Sequence, residues 1–227
     1  MSLKVGRIDE YLGQPISDPY GRKLGYIIGF YSNPDGNITS FEVSIGDNEF
    51  KELPVDRFKF DGNSIVVLPE WEYNAVVLER RIETLKRRIA ALEELNSRKE
   101  IPAHAYESFK KRLEESLIAL SNESKNVKEM LVKRIHEIED QIVELEKAIT
   151  AVKMSYISGE INERSYKLAM EHLRRNLDTL VKEKESVKKH MDKIESLEAL
   201  PASTLVPQPV SESKENSQPM PVVVVES

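Results

Sequence analysis

The arrangement in this chain closest to a recognition chemistry is a run of valines. Val222, Val223, Val224 and Val225 stand in a row after Pro219, Met220 and Pro221 and before Glu226. Four β-branched residues in succession favour an extended backbone. The two prolines carry no N–H to give to a ladder, which limits pairing of the peptide with itself and lowers its ordering entropy. Such a segment is suited to adding a strand to the sheet edge of another protein. Main-chain hydrogen bonds would supply affinity, and alternate valines would enter pockets. The other reading is an inert hydrophobic terminus, an aggregation liability kept without benefit. Leu205-Val206-Pro207-Gln208-Pro209-Val210 reads as a second, weaker contact.

A second group is cationic. Arg80, Arg81, Lys86, Arg87 and Arg88 cluster within nine positions. They suit an anionic membrane surface or DNA, where each basic side chain contributes about 1 kcal/mol near a bilayer. The alternative, which the spacing favours, is a solvated helix face paired with Glu79, Glu83, Glu93 and Glu94 at i, i+4. Bond-making chemistry finds less support. His104, His136, His172 and His190 have no partners at metal-ligand spacing, and real ligands cluster closely. Neither a phosphate-binding glycine loop nor a nucleophile–base pairing is present. No catalytic residue, metal or cofactor is expected, and the chain reads as a non-enzyme.

Composition points the same way. Of 227 residues, 32% are charged and 7% aromatic, thin for one globular core and ordinary for exposed helix. The net charge of -6 gives no bulk attraction to nucleic acid or anionic lipid. The absence of cysteine excludes disulfides and thiolate metal sites. No apolar stretch approaches the ~20 residues needed to span a bilayer, and the first residues do not form a signal peptide. A soluble, intracellular chain is the expectation.

The elements that must carry these groups fall into three segments. Residues 1–70 read as β. Leu24, Tyr26, Ile28 and Phe30 alternate with Gly25, Ile27, Gly29 and Tyr31, so both faces are fairly apolar. Turns are signalled at Asp18-Pro19-Tyr20-Gly21, Asn33-Pro34-Asp35-Gly36-Asn37 and Asp61-Gly62-Asn63. Strands are predicted over Ile38 to Ile45 and over Ile65 to Leu68. Five or six short strands suit a small barrel that buries its edges by closing. Gly13-Gln14-Pro15-Ile16-Ser17-Asp18, Gly21-Arg22-Lys23-Leu24-Gly25-Tyr26-Ile27, Leu53-Pro54-Val55 and Asp61 to Leu68 together resemble the PRC-barrel family. Its members are mostly non-catalytic interaction modules, and the resemblance implies the same here.

Residues 71–198 hold one glycine and one proline and contain a repeat. At a shift of 60, Ile82, Leu85 and Ile89 fall on Ile142, Leu145 and Ile149, and Tyr106, Leu113, Leu117 and Leu120 fall on Tyr166, Leu173, Leu177 and Leu180. Three helices follow, at about 71–97, 102–157 and 162–198, in an antiparallel coiled-coil hairpin. Ile135, Ile138, Ile142, Leu145, Ile149 and Val152 step by 3, 4, 3, 4 and 3. An extra step of four at Val127, Leu131 and Ile135 is a stutter. It is read as the place where the middle helix changes partner, from helix 1 to helix 3. The helices would run ~40, ~80 and ~55 Å at 1.5 Å per residue. Trp71, Tyr73 and Val76, near the barrel junction, are a candidate contact for a second copy.

Residues 199–218 read as a disordered Pro/Ser-rich linker, and 219–227 as the partner-binding strand. A PRC-like barrel, a helical-hairpin coiled coil and a proline-rich tail ending in Pro-Val-Val-Val-Val-Glu, in that order, resemble the CdvA family of archaeal cell-division proteins along the whole chain. The resemblance implies a scaffold that marks the division plane at the inner membrane surface, self-associates into dimers or filaments, and recruits the ESCRT-III-like CdvB. Pro219 to Glu226 map onto the family's recruitment peptide, which inserts into an incomplete winged helix of the partner. The resemblance implies a peripheral, midcell location with a nucleoid association open. A DNA-organising filament protein using the basic cluster is the competing reading.

Overall fold

A computed structural model describes residues 5–46, 49–61 and 64–199. The predicted partner peptide, Pro219 to Glu226, lies outside them, as does the predicted linker beyond Ala199.

The N-terminal part is one six-stranded sheet: β1 (Pro15–Ser17), β2 (Lys23–Ser32), β3 (Ile38–Ile45), β4 (Glu49–Pro54), β5 (Phe58–Asp61) and β6 (Ser64–Val67), in the order β4-β3-β2-β1-β6-β5. All neighbours are antiparallel except β1 and β6. The sheet curls into a half-barrel, in keeping with the small β-barrel domain expected of this segment. Its two edges, β4 and β5, are consecutive in the chain and joined by a single 3-10 turn, Val55–Arg57, instead of a ladder.

The apolar alternation of β2 is broken by a bulge between Ile27 and Gly29. One extra residue reverses which parity faces inward. Ile27 therefore pairs with Val43 and Phe30 with Phe41 on the core side, although they are three apart. Tyr26 and Ile28 are left 55% and 46% exposed. Gly25 permits the close approach of β2 and β3, since a Cβ there would stand 1.7 Å from the carbonyl oxygen of Ser44.

Three helices follow: α1 (Glu70–Ser97), α2 (Ala103–Ile157) and α3 (Glu163–Ala199). Helix α1 begins two residues after Leu68, so sheet and helix share one run of backbone. Each break ends the preceding helix with the same capping pattern. The N–H of Glu160 donates to the carbonyl of Ser155 (2.9 Å) across Gly159, whose φ is 79°. Sixty residues earlier, the N–H of Glu100 donates to Leu95 (3.1 Å) across Lys99, whose φ is 57°. Glycine adopts this left-handed conformation at no steric cost, whereas lysine is strained in it.

The helices do not exchange partners at the stutter. They overlap there. Arg81 of α1 meets Glu123 of α2, while Glu198 of α3 meets Ser124 and Lys128 of α2. Helices α1 and α3 also touch directly, through Glu79 with His190 and Lys193. The lengths require it: partners of ~40 and ~55 Å exceed the ~80 Å of the middle helix. Val127 and Leu131 thus lie in a three-helix section with Leu78, Val187 and Ile194. An added four-residue step keeps the stripe turned toward two neighbours at once.

Candidate functional site

The predicted basic cluster lies on α1, and the structure divides it. Arg80, Arg81, Arg87 and Arg88 are exposed. Arg81 is paired with Glu123, and Arg87 with Glu83 at 3.4 Å. Lys86 is buried, and its Nζ donates to the main-chain carbonyl of Glu198 at 2.9 Å. Burial lowers its pKa, against the opposing charge of Glu198. Lys86 occupies this place because its position, next to Leu85 and four after Ile82, faces α3 in the overlap section. Arg81 is tied to α2, whereas the pair of Arg87 stays within α1 and is long at 3.4 Å, so the surface left for an anionic partner is Arg80, Arg87 and Arg88.

Charge is instead concentrated inside the junction between half-barrel and helices. The turn after β1 is tied by Asp18, which is 4% exposed. Asp18 accepts from the N–H of Tyr20 (3.0 Å), the N–H of Arg22 (2.8 Å) and Arg22 Nε (2.5 Å). Held this way, Arg22 reaches across to α3, donating from Nη2 to Glu183 Oε2 at 2.6 Å. On its other side Glu183 accepts from Arg134 Nε of α2 at 2.9 Å. Glu183 is 1% exposed, so one carboxylate ties sheet, α2 and α3 together. Removing a partner of a buried ion leaves an uncompensated charge and costs about 3–5 kcal/mol.

Tyr20 makes the second tie. Its hydroxyl donates to Glu72 Oε2 at 3.0 Å in the first turn of α1, and its ring stacks on Trp71 at 6.5 Å between centroids. Burial pushes the Tyr20 hydroxyl pKa well up, reinforced by the neighbouring carboxylates. Trp71 is 6% exposed and is also met edge-on by His190. It is therefore a junction residue and cannot serve as the contact for a second copy expected of it; Tyr73 and Val76 are half-buried beside it. Arg57 closes the other flank, donating from Nε and Nη2 to the carbonyl of Leu68 (3.0 and 2.8 Å). Between these ties lies a cleft of about 640 Å³, lined by Arg22, Leu24, Leu53, Arg57 and Glu183 among others.

Of the four histidines, His104, His136 and His172 are exposed, and His190 sits half-buried with its Nδ1 2.5 Å from Glu79 Oε1. Among the described residues no group of three or more His, Asp and Glu could hold a metal ion, and no helix is long and apolar enough to cross a membrane. The junction was missed by reading motifs, yet it left a trace. Leu180, Glu183 and Val187 step by three and four, so a glutamate occupies a seam position where an apolar residue is the rule. Nothing in the spacing named Arg22 as its partner 161 residues away.

Comparison with known proteins agrees with this architecture. A family model described as a CdvA-like coiled-coil domain matches residues 70–217. The protein named Cell division protein A from Sulfolobus acidocaldarius is 38% identical over 198 residues, covering 87% of this chain and 83% of that protein.

Proposed function

This chain belongs to the CdvA-like coiled-coil family, and from that premise we propose that it is a cell-division scaffold that assembles at the inner membrane surface at midcell. There it recruits an ESCRT-III-like protein through Pro219 to Glu226. The observation that carries the cell-division role is the extent of the likeness to Cell division protein A, over 87% of the chain. The family's proteins are not known as enzymes. The recruitment step is supported by the sequence of that peptide, four β-branched valines behind two prolines that have no N–H to give to a ladder.

The architecture suits this role. The buried ties through Glu183 and Tyr20 make half-barrel and helices one platform. Self-association of such platforms would place many tails together and raise the effective concentration of partner through multivalency. Each single contact can then be weak. Arg80, Arg87 and Arg88 are the cations available for a membrane surface, and DNA is the competing ligand for the same side chains.

Two experiments test the reading. Removing residues 219–227 should abolish co-purification of an ESCRT-III-like partner while leaving the helical content intact; unchanged binding would sink the recruitment claim. Vesicle and DNA binding should be measured with Arg80, Arg87 and Arg88 changed together to alanine, across a salt series. Steep salt dependence on DNA with no vesicle binding would favour the DNA-organising reading.

A further inference from the structure

Strand β4 is a free edge of the sheet. It pairs with β3 alone, and Glu49, Phe50, Lys51 and Glu52 are all exposed. The ladder fixes which of its main-chain groups face outward. Ile27 gives both of its groups to the β1 side, donating to the carbonyl of Gln14 (3.1 Å) and accepting from the N–H of Gly13 (2.7 Å). These groups alternate in direction along a strand, so those of Tyr26 face β3 and meet Ser44. Those of Val43 and Ile45 then face β4 and meet Lys51 and Glu49. The N–H and C=O of Phe50 and Glu52 are left pointing away from the sheet. Pro54 has the same parity, so the N–H it lacks is one that β3 does not use.

The side chains of this edge are patterned too. Phe50, Ser44 and Tyr26 stand opposite one another across β4, β3 and β2 and so share a face. Phe50 and Tyr26 are 62% and 55% exposed. On the other face Lys51 and Glu49 pair within the strand at 2.6 Å, both more than half exposed.

We propose that β4 is an interface with a second copy of this chain, joined edge to edge and antiparallel about a twofold axis through Phe50. The charge pattern decides the occupant, because the strand is complementary to itself in this register. Phe50 exchanges two main-chain hydrogen bonds with Phe50 of the second copy. Glu49 falls opposite Lys51 of the second copy, and Lys51 opposite its Glu49. Sliding the pairing by two residues either way sets Lys51 against Lys51 or Glu49 against Glu49, and like charges directly opposite are destabilising. A slide of one residue turns the free N–H groups away from their acceptors. Charges on an edge ordinarily guard against pairing; here they select one register. The aromatic row then runs across both sheets, from one Tyr26 through the two Phe50 rings to the other. The proposal rests on the reading of the chain as a self-associating scaffold and gives that association a surface.

The chain has no cysteine, so a spin label at Tyr26→Cys reports on the contact from outside it. With β2, β3 and β4 on each side, the labelled backbones stand ~24 Å apart at about 4.8 Å per strand. Dipolar spectroscopy of the full-length chain should show that distance. Lys51→Glu and Glu49→Lys each set like charges opposite one another twice, and each should weaken association on the order of tenfold. Mixing the two variants should restore it, since every opposed pair is then of opposite sign, although neither chain regains its internal Lys51–Glu49 pair. Absence of the ~24 Å distance, single variants that associate as the parent does, or a mixture no tighter than either alone would each overturn the proposal. Residues 219–227 are intact throughout, so such a failure would leave the recruitment reading to its own test.

Discussion

In the overlap section Leu131, Ile138, Val187 and Ile194 are fully buried, whereas toward the second break Val143, Met154 and Ile157 are 48%, 64% and 85% exposed. Both regions belong to the same helices and follow the same heptad spacing. Two helices cover only one stripe of each other, so residues at the flanks of the stripe stay wet. A third helix covers those flanks. It also encloses charge: Glu79 of α1 is 3% exposed and matched by His190 and Lys193 of α3, and in the adjoining junction with the half-barrel Glu183 is 1% exposed and matched by Arg22 and Arg134. At the ends, ion pairs such as Lys147–Glu144 and Lys167–Glu163 are mostly exposed, and exposed pairs contribute little. The overlap section is therefore the structural centre, and the two hairpin ends are arms.

That contrast can be broken most strongly at Glu183. Arg134→Ala should cost about 3–5 kcal/mol in denaturant unfolding because Glu183 stays buried with one cation fewer. A loss below about 1 kcal/mol would mean that water reaches the carboxylate. Next in size, Leu131→Ala should cost about 2–5 kcal/mol, the range for a buried leucine, and leave a cavity. Val143→Ala in the arm should cost well under half of that, and equal losses would erase the distinction between centre and arms.

The two breaks offer a smaller and sharper comparison. Lys99→Gly should stabilise the chain by about 0.5–1 kcal/mol, relieving a left-handed lysine, and Gly159→Ala should destabilise it by a similar amount. Thermal unfolding of the two variants side by side would check the opposite signs. The smallest effect concerns acid. Burial acts to raise the pKa of Glu198, but hydrogen bonds from Lys128 and Ser124 and the charges of Lys128 and Lys86 hold it below its usual value. Its contribution is present above the ordinary glutamate range near ~4.3 and is lost as pH falls through the lower folded value. Glu198→Gln should flatten the acid limb of the stability profile and leave the alkaline limb unchanged.

Much of the fold was legible because periodicity reports which side of an element meets its neighbours. The runs at Ile38 to Ile45 and Ile135 to Val152 carried their element type openly, through β-branching and turn residues in one and steps of three and four in the other. The bulge after Ile27 was hidden, since an extra residue in a strand apolar on both faces changes no residue type. The basic cluster was legible as a group of charges but not as a surface. Lys86 is indistinguishable from Arg87 and Arg88 until α3 lies across it, and its contact with Glu198 spans 112 residues.

What the sequence determined by itself is local: a β segment and three helices with two breaks. What only the tertiary structure decided is which charges share a space. Glu183 is one of many glutamates along the chain, and its hydrophobic neighbours at heptad spacing mark it only as misplaced. Arg22 and Arg134 become its partners because the turn after β1 and the middle of α2 converge on one side of α3. Pairings of that kind depend on distances through space, whereas periodicity depends on distances along the chain. The helix lengths carried the one hint that crossed between them, since partners longer together than the helix they share must overlap.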